Sequence, residues 1–268
     1  MEERLDRRGA PPTRVSGDLR LAGLPRDPTT LPELPPSFHA ALDRGLAILG
    51  VALDPAARAA IEAHVRLLLA WNGAINLTAI TDPAAVAVRH VLDSLTAAPL
   101  LAPDTARLLD IGSGGGFPGL PLAAALPGSR VTLLDSVAKK AAFLEVAVGG
   151  AGLEERVTVR AGRAETLVGD EWDAVVARGV GSLAELVELA LPLLRVGGRL
   201  IAWKRGELGT ELPAAGRAAA ALGAATPGVG PAASVPGLEG HVLVEVAKVA
   251  PTPAGYPRDP AARRRRPW

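Results

Sequence analysis

The chain has 268 residues, 49% of them hydrophobic, and 29 Lys and Arg against 28 Asp and Glu leave a formal charge of +1 at pH 7. This is enough apolar material for one medium domain with appendages. The absence of cysteine and the presence of only four histidines exclude disulfides, thiolate metal sites and sulfur nucleophiles, and predict no metal site. No run approaches the roughly 18 uninterrupted apolar residues that span a bilayer, and the opening MEERLDRRGAPPTR lacks the apolar segment of a secretory signal, so the expectation is a cytoplasmic protein with no membrane partner.

Residues 1–36 carry seven prolines, from Pro11 to Pro36, among mixed charges, which reads as a disordered leader. A helical segment over 37–103 follows. Phe38, Leu42, Leu46 and Leu49 share one face ahead of Gly50, and a second helix opens at Asp54-Pro55 to bury Ile61, Val65, Leu68 and Leu69. Asp82-Pro83 repeats that start signal, and this third helix carries Val86, His90 and Asp93 on one side, with Arg89 beside them.

Beyond Pro103 short β-rich runs alternate with longer helical stretches. ARLLDIG, RVTLLD, RVTVR, WDAVVA and GRLIAWK are predicted strands, with helices near 118–126, 137–149 and 183–195; an Ala-rich helix over 211–222 and a last strand, HVLVEVAKVA, complete residues 104–250. Alternation of this kind implies parallel strands with crossover helices, a doubly wound α/β sheet. Residues 251–268 form a basic tail, with Arg258 and Arg263 to Arg266 against Asp259.

The first strand runs into LLDIGSGGGFPGLPLA, Leu108–Ala123. Ligands bind beyond the carboxyl ends of such strands, and glycines there allow positive φ and close backbone approach. A dinucleotide fingerprint starting at Gly112 requires a small residue where Phe117 stands, and no Gly-Lys-Ser/Thr follows to make a Walker loop. The spacing is instead D-x-G-x-G-x-G, through Asp110, Gly112, Gly114 and Gly116. With Asp135 ending the second strand, the pattern resembles the S-adenosylmethionine site of class I methyltransferases, a Rossmann-like fold. The resemblance places Asp135 on the ribose hydroxyls, Ala164 and Glu165 beside the adenine, and Phe117 and Arg178 in the same pocket. The Asn/Asp-Pro-Pro-aromatic motif of amino-group base methyltransferases is absent after the fourth strand, and no cysteine serves C5 chemistry, so the acceptor is expected to own an available lone pair.

WNGAINLTAITDPAAVAVRHVLDSL, together with GSGGGFPGLPLA, LLDSVAKKAAFL, VVARGVGSL, IAWKRG and GYPRDPAARRRRPW, resembles the small-subunit ribosomal RNA guanine-N7 methyltransferases, the family also called glucose-inhibited division protein B. Gly179, where alanine is commoner, and the richer arginine run are departures. The resemblance implies methyl transfer to N7 of a guanine in 16S rRNA or a small-subunit precursor, by a monomer with a helical N-terminal extension. Arg178 and Lys204, at the ends of the fourth and fifth strands, are the candidates for handling the substrate. Asn76, His90 and Asp93 read equally as RNA contacts or as a polar network closing over the pocket. Tyr256 and the tail arginines Arg258, Arg263, Arg264, Arg265 and Arg266 suit base stacking and phosphate binding, or pin and solubilise the chain end. A small-molecule acceptor and a non-catalytic RNA-binding module are the alternatives that the residues leave open.

Overall fold

Proline and glycine punctuate the N-terminal helices as their positions predict. In the computed structural model, which describes residues 21, 23–101, 105–232 and 234–268, α1 (Pro36–Leu49) stops at Gly50, whose φ of 64° ends the helical path. The Asp54 side chain accepts the Ala57 N–H at 2.7 Å and opens α2 (Pro55–Ile75). Asp82 does the same for Ala85 at the start of α3 (Pro83–Val86). A π-helical turn, Ala87–Leu92, leads from α3 into α4 (Asp93–Leu95), and α5 (Ala98–Leu101) follows. By length and mean hydropathy the stretch Pro83–Leu101 could cross a membrane. It is a core helix instead: Val86, Ala87, Val91, Leu92 and Leu95 are all buried, against α1 and the sheet domain.

The sheet domain runs β1 (Arg107–Ile111), α6 (Gly119–Ala125), β2 (Arg130–Asp135), α7 (Ala138–Gly150), β3 (Val157–Ala161), a 3-10 turn at Ala164–Leu167, β4 (Trp172–Arg178), α8 (Leu183–Ala190), β5 (Leu194–Arg205), α9 (Glu211–Ala221), β6 (Gly228–Pro231) and β7 (His241–Ala247), and α10 (Pro260–Arg265) follows. The strand order is β3-β2-β1-β4-β5-β7-β6. The first five are parallel, while β7 pairs antiparallel with β5 and β6. The order reverses between β1 and β4, which makes the carboxyl ends of those strands the place for a ligand.

Side chains alternate between the two faces of each strand. Leu108, Leu133, Val176 and Ile201 join the core under α1, α2, α6 and α7, whereas Leu109, Leu134, Val175, Leu200 and Ala202 join the core under α8 and α9. By the same parity Asp110, Asp135 and Arg178 lie on the first face and Lys204 on the second.

Four expectations change. The helix predicted over 183–195 ends at Ala190, because Pro192 takes the chain into a 3-10 turn and β5 starts at Leu194. β6 had no sequence signature: it is a short edge strand of Gly, Val, Gly and Pro, residues tolerated at an edge and weak as a strand signal. Of the expected leader, residues 1–20 lie outside the described residues, but its later part packs on α2. Pro28 and Leu34 are buried, the Trp71 indole donates to the Pro25 carbonyl at 2.7 Å and Arg66 donates to the Leu31 carbonyl. Extended proline-rich backbone offers unpaired carbonyls, and α2 supplies their donors. Finally, the expected basic tail contains α10 and docks on α8. The boundary expected at 103/104 falls outside the described residues.

Removing the α2 cap by Asp54→Ala is expected to cost about 1 kcal/mol, read as a fall of roughly 2–4 °C in Tm by calorimetry. An unchanged Tm contradicts the capping role.

Candidate functional site

The glycine loop takes the shape that its spacing requires. Gly112, Gly114 and Gly116 have φ of 74°, 56° and 88°, left-handed values that a side chain disfavours. The Gly112 and Ser113 amides donate to the Leu134 carbonyl at 2.8 and 3.0 Å, fastening the loop to the end of β2. Asp110 accepts the Gly119 amide at 2.9 Å through Oδ2, and a Cβ at Gly119 would sit 2.6 Å from that oxygen. Asp135 accepts Gly114 N–H at 2.9 Å and Val137 N–H at 2.8 Å, so it ties the loop to the start of α7. Beside the loop lies a crevice of about 130 Å³ whose lining includes Ile111, Gly112, Ser136, Ala164, Glu165 and Val180.

These residues suit a nucleoside with a charged tail. Asp110 Oδ1 is buried without a hydrogen-bond partner, and burial pushes the carboxyl up to about 7 despite help from Ser113 and Gly119. A buried acceptor with no donor is a costly arrangement that a polar ligand or a water relieves. The carboxylate lining the crevice itself is Glu165, because both Asp135 oxygens already accept backbone amides and only their second lone pairs remain for a hydroxyl.

Phe117 is the hinge between this loop and the N-terminal helices. Its ring is stacked on His90, with centroids 4.8 Å apart, lies 4.6 Å from the His64 ring centroid, and has the Arg178 guanidinium carbon 5.4 Å from its centre. His64, wholly buried in α2, holds the Gly115 carbonyl at 2.7 Å through Nε2, which must therefore carry the proton. Burial drives its pKa down to about 4. His90 sits in the π turn, receives Arg178 Nη2 on Nδ1 at 3.2 Å and donates from Nε2 to Thr78 Oγ1 at 2.6 Å. Burial first, then the charge of Arg178, push its pKa down to about 3.

Arg178 is held in turn by Asp93, Nη1 to Oδ2 at 2.8 Å, and by the Arg89 carbonyl at 3.2 Å. Asp93 is 1% exposed and also pairs with His241 Nδ1 at 2.9 Å, while its backbone carbonyl accepts the Trp203 indole at 2.7 Å. The structure therefore brings Asp110, Gly112, Gly114, Gly116, Phe117, Asp135, Ala164, Glu165, Arg178, His90 and Asp93 into one region. His90 and Asp93 sit in a polar network around Arg178, one of the two roles their positions left open. Asn76 is exposed at the left-handed end of α2; its neighbour Asn72 does the holding, accepting from Leu77 and Thr78 and donating to the Thr78 carbonyl.

Other expectations need correction. Lys204 does not join Arg178: it lies on the opposite sheet face, and its ammonium pairs with Glu211 at 2.7 Å and donates to the Gly181 carbonyl. Arg258 and Arg263 do not stand free for a phosphate in this structure: the first is bound to buried Glu188 and the second to Glu165. Tyr256 is stacked against Trp268 with centroids 6.1 Å apart, which pins the chain end. Arg264, Arg265 and Arg266 are exposed.

A family model described as rRNA small subunit methyltransferase G matches residues 57–229, most of the chain and the whole glycine loop. The chain belongs to that family. Relatives named ribosomal RNA small subunit methyltransferase G include one from Roseiflexus castenholzii, 48% identical over 71% of this chain and 83% of its own. Another, from Moorella thermoacetica, is 41% identical over 81% and 93%. Among solved structures, an SAM-dependent O-methyltransferase from Thermotoga maritima aligns with TM-score 0.51 at 19% identity over 69% of this chain and 72% of its own. An O-methyltransferase from Bacillus cereus in complex with SAH aligns at 0.50 and 20% over 79% and 100%. These likenesses, with the sheet order, establish the class I methyltransferase fold.

In this member of the methyltransferase G family the sequence reading missed His64, Trp203, Glu188, Glu211 and His241. Only His64 left a signal, a histidine on the apolar face of α2. Breaking the Asp93–Arg178 pair by Asp93→Ala strands a half-buried guanidinium and is expected to cost about 3–5 kcal/mol, measured by urea unfolding; a loss below about 1 kcal/mol contradicts the anchoring role.

The histidines give a pH dependence. Their folded-state pKa values lie below the ordinary 6.5, so below that pH the unfolded chain binds more protons, and stability is full above 6.5 and falls as pH drops towards 4. Asp110, raised to about 7, opposes this over the same window, one group against two. Tm is expected to decrease from pH 7 to pH 5, and the decrease is expected to disappear in His64→Asn, where His90 and Asp110 nearly cancel; equal slopes contradict the assignment.

Proposed function

We propose that this protein transfers the methyl group of S-adenosylmethionine to N7 of a guanine in 16S rRNA, as a cytoplasmic monomer. The observation that carries the cofactor is the left-handed glycine loop beside the unpartnered Asp110 oxygen, in a chain of the methyltransferase G family. Gly112, Ala164 and Glu165 would hold the nucleoside, and the unpartnered Asp110 oxygen the ammonium of the charged tail.

When bound, S-adenosylmethionine supplies an electrophilic methyl on a sulfonium. Guanine N7 would take that methyl on its own lone pair, the sulfur keeping the electrons of the broken C–S bond, so no proton would leave N7 and no general base is required of the protein. The site agrees with this: His64 and His90 are neutral, and the donor and acceptor contacts described above hold them around Phe117. The work left to the protein is placement, which supplies on the order of 7 to 11 kcal/mol when reacting atoms are held in line. Phe117, held among His64, His90 and Arg178, would set the position of the loop. Exposed Arg89, Arg205, Arg264, Arg265 and Arg266, with Asn76, offer contacts to RNA.

Incubating the purified protein with labelled S-adenosylmethionine and 16S rRNA or 30S particles is expected to yield 7-methylguanosine by mass spectrometry; no methylated guanine on either substrate overturns the proposal. A Cβ at Gly114 has room, its nearest neighbour being the Gly112 carbonyl at 3.8 Å, so Gly114→Val acts through the φ of 56°, whose loss shifts the loop and its bond to Asp135. It is expected to leave the protein folded and weaken S-adenosylhomocysteine binding at least about tenfold by calorimetry. Retained affinity in the folded variant contradicts the loop's role.

A further inference from the structure

We infer that Arg263 is a positioning residue for Glu165, so that the docked end of the chain sets affinity for the methyl donor. This rests on the reading that the crevice beside Gly112 receives the adenosyl group. The arginine-rich end is not a loose polycation. Glu188 in α8, 0% exposed, accepts the Arg258 backbone amide at 2.8 Å, its Nε at 2.9 Å and its Nη2 at 2.5 Å, and also the Trp268 indole at 2.6 Å. Asp259 caps α10 through the Ala261 and Ala262 amides. These bonds close the last residues onto the domain and carry Arg263 inward.

Arg263 is 6% exposed, far less than arginine usually is. Its Nη2 donates to Glu165 Oε1 at 2.5 Å, its Nη1 to the Arg258 carbonyl at 2.7 Å, and its Nε lies 3.6 Å from Glu185 without a hydrogen bond. Glu165 is the carboxylate that lines the cofactor crevice. Its burial alone would raise its pKa, but the Arg263 hydrogen bond and charge bring it below the usual range. A carboxylate accepts only, and with Oε1 fixed by the guanidinium, Oε2 is left in one orientation for a hydroxyl or amine of the nucleoside. Without Arg263 the nearest cation is exposed Arg163, 3.5 Å from the same oxygen, which would draw Glu165 towards solvent.

The test uses full-length protein and S-adenosylhomocysteine in calorimetry, with steady-state methylation of 30S particles alongside. Arg263→Ala is expected to weaken binding about tenfold and to raise KM for the methyl donor more than it lowers kcat, while Arg263→Lys recovers part of the loss and Arg217→Ala, on the exposed side of α9, changes nothing. Glu165→Gln should weaken binding comparably, and combining it with Arg263→Ala should add less than about twofold. A folded Arg263→Ala with wild-type affinity, or full additivity in the double variant, overturns the inference. If Arg263→Ala does not fold, Arg263→Lys and Glu165→Gln decide it: wild-type affinity in both overturns it. Failure of the wild-type protein to bind the probe refutes the adenosyl reading instead.

Discussion

The ion pair of Asp93 with Arg178 joins the helical segment to the carboxyl edge of the sheet, beside the glycine loop. Arg178 is the last residue of β4, at the switch point of the sheet, and Asp93 follows the π turn of the helical segment. Neither charge is exposed enough to be solvated alone, so each requires the other. The pair is satisfied further by His241, His90 and the Arg89 carbonyl, and the Trp203 indole holds the Asp93 backbone. A buried ion pair is a poor source of net stability, but it is directional, and here it fixes the helices in one register over the strand ends. π turns are recurrent at functional sites, and this one places Arg89, His90 and Asp93 together.

From that anchor the geometry passes to the glycine loop through one aromatic ring. Phe117 is gripped by His64 from α2, by His90 from the π turn and by Arg178 from β4, so the loop is positioned by elements from both parts of the chain. His64 also takes the Gly115 carbonyl. A methyltransferase whose acceptor owns a lone pair has no use for a base, and the same two histidines that would be candidates for one serve as neutral supports.

The glycine loop was legible because its requirements are local. Only glycine adopts φ of 74°, 56° and 88° at alternating positions without strain, so Gly112, Gly114 and Gly116 declare the loop, and Asp54-Pro55 and Asp82-Pro83 declare helix starts. What failed depends on partners distant in sequence. Lys204 and Arg178 both end strands on the same edge, but side-chain parity relative to the paired register places them on opposite faces. A run of arginines looks the same whether solvated or paired, and Glu165 and Glu188, which bind Arg263 and Arg258, announce nothing in their own neighbourhoods. Proline-rich sequence likewise does not reveal that Trp71 and Arg66 will collect its carbonyls. Motif resemblance identified the family; the division of labour inside the motifs, Trp71 and Asn72 holding backbone while Asn76 stays exposed, emerged only from the fold.

The central claim is that the crevice between the glycine loop and the Ala164–Glu165 turn receives the methyl donor with Phe117 in place behind it. A crystal structure of the protein with S-adenosylhomocysteine measures this directly. The account predicts the adenine beside Ala164 and Glu165, the amino-acid end within hydrogen-bond distance of the loop and Asp110, and the Phe117, His90 and Arg178 contacts unchanged. Density for the ligand elsewhere, for example in the groove of about 370 Å³ between α8, α9 and the chain end, or a Phe117 displaced from its histidines on binding, would contradict it.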